Sequence, residues 1–400
     1  MQEMVRSMQH SPILNLPDDL AYEIFLTCHR NDPRNFAEIA SAVCIQWRHT
    51  ALSIPALWST IHFDQSLQNQ QAIRGIEARL NRARTAPLNI RISGSAIRDP
   101  VINSMLIVCQ LIFPSIMTWR SLVIGKDVRN TAVRLLLDRL KNSPAPMLEK
   151  LAIEPVHKTP GSTIGNAEWE LGTFRNHMPR LQCLQLSRCR FDWNLDIFDD
   201  ILDLEINDSR FAEMNPSQLI MIIQDIMVRS PRLRRLVLTD DYQTPLVARS
   251  DRSPPAPSQK TIFHGAIEYL RTPLRRGEVT DAILHTVIMP SCEEVGSDSG
   301  TSYFILPFSF HTLAYINPLP NLRHIRIHGR VGSAGLTSHE RTALPLALQA
   351  MCKLESLKFL LVDLAGSDTW LPDLLVWLPR LTNLNFDGCK GLLDSAIRAM

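Results

Sequence analysis

A chain of 400 residues with 45% hydrophobic side chains can bury a sizeable core, and it implies one small unit plus one large one, or two to three domains. Lys and Arg total 42 against 40 Asp and Glu, a formal net charge of +2, which gives no global pull toward nucleic acid or an anionic membrane surface. The eight cysteines (Cys28, Cys44, Cys109, Cys183, Cys189, Cys292, Cys352 and Cys389) form no C-x-x-C pair, so they read as reduced structural thiols and not as a disulfide framework or zinc site.

The opening residues, Met1 to Ser11, carry one basic residue and no apolar run, so no signal peptide is expected. From Leu16 a helix is expected. Pro17 suits a first helical turn because its missing N–H has no partner to lose there, and Asp18 and Asp19 complement the helix dipole. Leu16, Leu20, Ile24 and Phe25 then form one apolar stripe. After a polar break at Arg30 to Asn35, a second helical pattern runs through Phe36, Ile39, Ala40, Val43, Cys44 and Trp47. A third short stretch, Ala51 to Trp58, is broken at Pro55 and ends in Leu57-Trp58.

Three short helices cannot bury a full core alone, and a leftover apolar face needs a partner. The run Leu16-Pro17, Asp19, Leu20, Ile24-Phe25, Val43-Cys44, Trp47-Arg48 and Leu57-Trp58 resembles the F-box, with Asp19 where that family usually has Glu. The resemblance implies an F-box domain over 12–63 that docks on a Skp1-like adaptor and, through it, a cullin. Leu16, Pro17, Leu20, Ile24, Phe25, Val43, Trp47, Leu57 and Trp58 are the residues it assigns to that module. The plain alternative is a three-helix cap with Trp47 and Trp58 as core.

A connecting helix follows over 64–86, with Ile73, Ile76 and Leu80 at helical spacing. At Pro87 to Ile92 the period switches to two, the mark of a half-buried strand. The most apolar run, Val101 to Met117, is interrupted by Asn103, Ser104, Gln110 and Pro114 and is short for a membrane span, so a buried helix is expected.

From Trp119 onward an apolar-x-x-apolar-x-apolar motif recurs. Its central residues are Leu122, Leu151, Leu184, Leu204, Leu236, Val287, Ile325, Leu357 and Leu384, and a proline often stands two positions before the first apolar residue. Helical patterns lie between the copies, at Val128 to Leu140, Trp169 to His177, Leu219 to Met227, Leu344 to Met351 and Trp370 to Leu378. Strand plus helix at a period of about thirty residues resembles the leucine-rich repeat. The Asn or Cys that usually follows the strand is mostly missing, so the repeats are irregular and the competing reading is a non-repetitive α/β domain.

The expected fold is therefore α/β, with an N-terminal three-helix F-box and an irregular leucine-rich-repeat-like solenoid over 87–400. Loops at 154–167, 240–258 and 290–302 interrupt it, and the middle one holds a Ser253-Pro254 pair in a proline-rich tract.

No catalytic motif is complete. Gly161 to Gly165 has Thr163 at the nucleophile position and no strand before it. His339-Glu340 lacks the second histidine of a metalloprotease helix, and Gly329, Gly332 and Gly335 lack both a dinucleotide fingerprint and a phosphate-loop lysine. No enzyme activity, cofactor or metal is expected.

The resemblances together imply a substrate-recognition subunit of a Skp1–cullin–F-box ubiquitin ligase, in the cytoplasm or nucleus. Its partners would be the adaptor and an unidentified protein substrate, with no nucleic acid and no membrane. The alternative is a non-ligase interaction scaffold with an F-box-like cap. If the strands line a sheet, the residues flanking each central position face outward: Gln185, Asp203, Glu205, Arg235, Val237, His324, Arg326, His328, Lys358, Asn383 and Asn385. Of these, Arg235, His324, Arg326 and Lys358 form the expected surface for an acidic or phosphorylated substrate segment.

Overall fold

A computed structural model describes residues 16–32, 35–64, 70–93, 101–125, 128, 130–140, 143–154, 169–170, 178–187, 189–190, 193, 196–208, 211, 214–239, 262–271, 283, 286–296, 319–328, 338–360, 364, 371–387 and 389. It is a mixed α/β structure whose described strand pairs are all parallel. The chain divides into two compact units, Met1–Leu181 and Gln182–Met400.

Among the described residues the first unit opens with three helices, α1 (Asp18–Asn31), α2 (Phe36–Val43) and α3 (Ile45–Ser53), and a 3-10 turn over Pro55–Trp58. Strands β1 (Thr60–Asp64), β2 (Leu88–Ser93), β3 (Trp119–Ile124) and β4 (Lys150–Ile153) then pair side by side in chain order. Helices α4 (Gln70–Ala83), α5 (Val101–Ile112) and α6 (Asn130–Leu140) fill the crossovers that parallel strands require. In register, Ile61, Ile90, Leu122 and Leu151 form one buried row and Phe63, Ile92, Ile124 and Ile153 a second. Buried Cys109 lies on α5, where loss of water pushes its thiol up to about 11 despite the opposing charge of Arg139. The expected connecting helix and the strand after Pro87 are both present.

Among the described residues the main sheet of the second unit has eight parallel strands in chain order. They are β5 (Cys183–Ser187), β6 (Asp203–Asn207), β7 (Arg235–Thr239), β8 (Tyr269–Arg271), β9 (Glu294–Gly296), β10 (His324–His328), β11 (Ser356–Leu360) and β12 (Asn383–Asp387). Among the described residues three helices accompany them: α7 (Pro216–Arg229), α8 (Ser338–Ala350) and the single turn α9 (Leu374–Trp377). Helix α7 begins where the sequence says it should. Asn215 accepts a hydrogen bond from the Ser217 amide at 3.0 Å, and Pro216 fills the first position.

Seven strands, β4, β5, β7 and β9 to β12, are preceded by the same tight turn, and a proline stands at its second position in all of these except the Met351–Leu354 turn. The amide of the first apolar residue donates to the carbonyl three residues earlier. The pairs are Leu148 to Ala145 (3.1 Å), Leu181 to Met178 (3.1 Å), Leu233 to Ser230 (3.0 Å), Cys292 to Met289 (3.2 Å), Leu322 to Leu319 (3.2 Å), Leu354 to Met351 (2.9 Å) and Leu381 to Leu378 (3.0 Å). Proline suits the second position of such a turn, where its fixed φ is already correct and no donor is lost.

Three expectations are corrected. The motif centred on Val287 is not a strand of the main sheet; Val287–Ile288 pairs with Ile262–Phe263 in a separate two-stranded ladder. The sheet uses β8 and β9 instead, and their motifs, Ile267-x-x-Leu270 and Cys292-x-x-Val295, lack the third apolar residue. The loop placed over 290–302 therefore contains a strand. Trp169–Glu170, read as the start of a helix, is extended, and residues 171–177 lie outside the described residues. So do the loop over 240–258 with Ser253-Pro254, the loop over 154–167 apart from Glu154, and the Gly161–Gly165 and Gly329–Gly335 stretches.

Candidate functional site

The helical module of the first unit is built around aromatic side chains. Phe25 is buried and meets the ring of Phe36 edge-on at 5.6 Å and that of Trp47 at 5.1 Å. Leu57 and Trp58 are fully buried, and the Trp58 indole N–H donates to the Ala51 carbonyl at 2.8 Å. The Arg82 guanidinium lies 4.3 Å over the Trp58 ring, joining α4 to the 3-10 turn.

A second residue of α4 ties the module to the sheet. Arg79 donates through Nε to Glu38 Oε1 at 2.7 Å, through Nη2 to Glu38 Oε2, and through Nη1 to the Thr60 carbonyl at 2.8 Å. One planar fork thus holds α2 and β1 together. His29 is buried within electrostatic reach of both side chains. Burial chiefly lowers its pKa and Arg79 adds to that, while Asp32 and Glu38 oppose them.

The expected apolar stripe of α1 is two stripes. Phe25 and His29, one turn apart, face the core, while Leu20 and Ile24 stay 53% and 41% exposed. The second helical pattern is likewise broken. Cys44 is extended, at φ −154° and ψ 172°, and its Sγ accepts from the Trp47 amide at 3.4 Å, so one predicted helix becomes α2 and α3. The corner so formed carries Ile39, Val43 and Ile45 at 58%, 57% and 74% exposure. The nine expected site residues therefore divide. Phe25, Leu57 and Trp58 are core, Leu16 and Trp47 are half-buried, and Pro17, Leu20, Ile24 and Val43 are exposed. Ile39 and Ile45 share that exposure, and the sequence reading passed over them as parts of one continuous helix.

On the sheet of the second unit, the four expected cations are not gathered. Arg235 on β7 donates through Nη1 to Glu205 Oε2 at 2.9 Å and lies 5.3 Å over the Tyr269 ring, and Gln185 donates to the same Glu205 oxygen at 3.3 Å. Three strands further along, His324 is exposed, and Arg326 and Lys358 occupy adjacent register positions on β10 and β11. Val237, expected to face outward, is fully buried.

A charge ladder went unread in the sequence. In seven of the motifs the residue after the first apolar member pairs across strands: Arg120 Nε with Glu149 at 2.7 Å, Arg234 with Glu268 at 4.0 Å, and Arg323 with both Glu293 at 3.5 Å and Glu355 at 3.7 Å. Its signal was the fixed position of these charges in the motif.

Among the described residues, no three His, Cys, Asp or Glu side chains are grouped to hold a metal, and no helix is long and apolar enough to cross a membrane. What the first unit offers is an apolar helical surface held on a stiff aromatic core. Neither a protein-family model nor a curated protein sequence matches the chain.

Proposed function

We propose that this chain is a non-catalytic substrate receptor whose helical module, an F-box, docks on a Skp1-like adaptor of a cullin ubiquitin ligase. The observation that carries this reading is the exposure of Leu20, Ile24, Ile39, Val43 and Ile45 on a module whose own core is already filled by Phe25, Leu57 and Trp58. Side chains of that size left in water on three successive helices are the mark of a partner surface. The aromatic core and the Arg79 fork keep that surface preorganised, which lowers the ordering cost of docking.

The second unit, read as an irregular leucine-rich-repeat-like array, would hold the substrate on its sheet. Arg235 is engaged by Glu205, so the cations left for a substrate stand at the positions of His324, Arg326 and Lys358. The chemistry is proximity: the receptor raises the local concentration of substrate lysines near a charged enzyme and breaks no bond itself.

The test is a pull-down of the purified chain with Skp1, comparing wild type with Leu20→Asp and Val43→Asp. Both substitutions lie on exposed positions, so circular dichroism should match wild type while binding falls at least tenfold in each. Absence of binding by folded wild-type chain discards the ligase assignment and leaves a repeat-based interaction scaffold.

A further inference from the structure

We infer that β12, the last described strand of the second unit's main sheet, pairs antiparallel with β12 of a second copy of this chain, across a two-fold axis at Asn385. This goes beyond the proposed function and does not depend on it.

Among the described residues β12 has a neighbouring strand on one side only, β11. Its apolar motif is complete but not covered. Leu354, Leu357 and Phe359 of the preceding motif are fully buried, whereas their counterparts Leu381, Leu384 and Phe386 are half-buried. The Phe386 ring stacks parallel on Phe359 at 5.3 Å, so it extends the buried row by one place and ends it. Stacked arrays need a closing layer at such an end.

The first unit shows what a covered edge looks like. The Asn89 amide donates to the Ser59 carbonyl at 2.9 Å, so the next carbonyl, that of Thr60, points away from β2. Arg79 Nη1 donates to it at 2.8 Å, and Ile61 and Phe63 are buried. On β12 the outward groups follow from one bond. The Asn383 amide donates to the Glu355 carbonyl at 3.1 Å, so Asn383 faces β11, and by alternation Asn385 and Asp387 do too. Leu384 and Phe386 therefore turn their N–H and C=O groups to the edge, where no described residue takes them.

An antiparallel partner exchanges hydrogen bonds with alternate residues, and the pairs between them exchange none and lie closer. With the axis at Asn385, Leu384 and Phe386 of one copy exchange bonds with Phe386 and Leu384 of the other, and every outward group is used. The side chains agree with the same axis. The strand reads Asn-Leu-Asn-Phe-Asp, alternately polar and apolar and symmetric about Asn385. Leu384 then meets Phe386 on the core side, and Asn385 meets itself with an amide that both donates and accepts. Asp387 meets Asn383, which leaves the two Asp387 positions about 14 Å apart along the strands, beyond the roughly 8 Å screening length at physiological salt. A two-fold interface requires this self-complementarity, and a different partner does not. Edges that avoid pairing carry lysine, proline or a bulge, and β12 has none, with unbroken register to β11 throughout.

The test is sedimentation equilibrium of the full chain from about 1 to 100 μM, where the mass should rise from the 45.3 kDa monomer to twice that value. Two exposed positions on the strand should shift the equilibrium in opposite directions. Asn385→Asp sets two carboxylates against each other at the axis and should raise the Kd at least about tenfold. Its new acid is in register with Lys358, so the monomer fold tolerates it. Asn383→Lys faces Asp387 of the other copy, twice by symmetry, and should lower the Kd on the order of fivefold. Gln218→Lys, exposed on α7, should leave it unchanged. Thermal melting checks each fold, and if one strand variant fails to fold the other decides alone. Wild type that stays monomeric overturns the inference, whether residues 390–400 of the same chain or a different protein cover the edge. So does a dimer that neither strand variant shifts, or that both shift the same way. Assembly beyond the dimer overturns the two-fold arrangement.

Discussion

Trp58 and Leu20 belong to the same helical signature, yet the structure places one in the core and the other in water, and substitution separates these quantitatively. Trp58 is fully buried, donates to Ala51 at 2.8 Å and stacks under Arg82 at 4.3 Å. Trp58→Ala should cost about 3–5 kcal/mol from lost burial and the cavity left behind. Trp58→Phe should cost about 1 kcal/mol beyond its change in shape, the net worth of one hydrogen bond. The Ala51 carbonyl is not orphaned, because the Ile54 amide still donates to it at 3.4 Å. Leu20→Ala, at a position more than half exposed, should stay within about 0.5 kcal/mol of wild type. Native-state hydrogen exchange at α3 and β1 reads this locally, which matters in a chain of two units. A loss of 3 kcal/mol speeds exchange about 100-fold, since 1.4 kcal/mol is tenfold. Adaptor binding should follow the reverse order, with Leu20→Asp folded but unable to dock. If Trp58→Ala speeds exchange less than tenfold, or Leu20→Ala speeds it equally, the division into core and docking residues is wrong.

Two further outcomes test the link between the module and the sheet. Arg79→Ala should destabilise α2 and β1 by about 1–2 kcal/mol, discounted because Glu38 is half exposed, and Arg79→Lys should recover little because an ammonium cannot bridge Glu38 and Thr60 at once; equal exchange rates in Arg79→Lys and wild type would refute the fork. For His29, burial lowers the folded pKa below the ordinary 6.5, so the unfolded chain takes up the proton first as pH falls. Stability should therefore hold above about pH 7 and decline as pH drops below 6.5, and His29→Leu should flatten that decline; the readout is the urea midpoint at pH 7.5 and 5.5, and the same drop in both proteins would remove His29 as the cause.

Much of the architecture was legible because it rests on patterns that local physics enforces. The proline two residues before Leu148, Leu181, Leu233, Leu322 and Leu381 marks a turn whose hydrogen bond recurs from Leu148 to Leu381. The apolar-x-apolar core positions become buried rows, as at Leu184, Leu204 and Leu236. What failed were places where the pattern was incomplete or where one residue overrode it. β8 and β9 lack the third apolar residue, so a better-looking motif at Val287 drew the assignment although it belongs outside the main sheet. The break at Cys44 was hidden because Phe36 to Trp47 keeps helical spacing across an extended residue. Exposure was the least legible feature. Phe25 and Ile24 are neighbours in sequence and equally apolar, and only packing against Phe36 and Trp47 decides which turns inward.

That same packing says why the helical module and the sheet cannot be separated at residue 63. Trp58 closes the F-box-like signature, yet Trp58-x-x-Ile61-x-Phe63 is also the repeated strand motif, two strands ahead of where periodicity first reveals it. All three of its apolar residues are buried, and β1 extends to Asp64 in register with β2. A cut at residue 63 falls inside that strand and removes Arg79 and Arg82, the two side chains of α4 that hold Glu38, the Thr60 carbonyl and the Trp58 ring. The exposed apolar face is thus stiffened by the first crossover of the sheet. In the proposed receptor, a partner on Leu20 and Val43 would be joined to β1 and β2 through packed side chains instead of a flexible tether, which is what positioning by proximity requires.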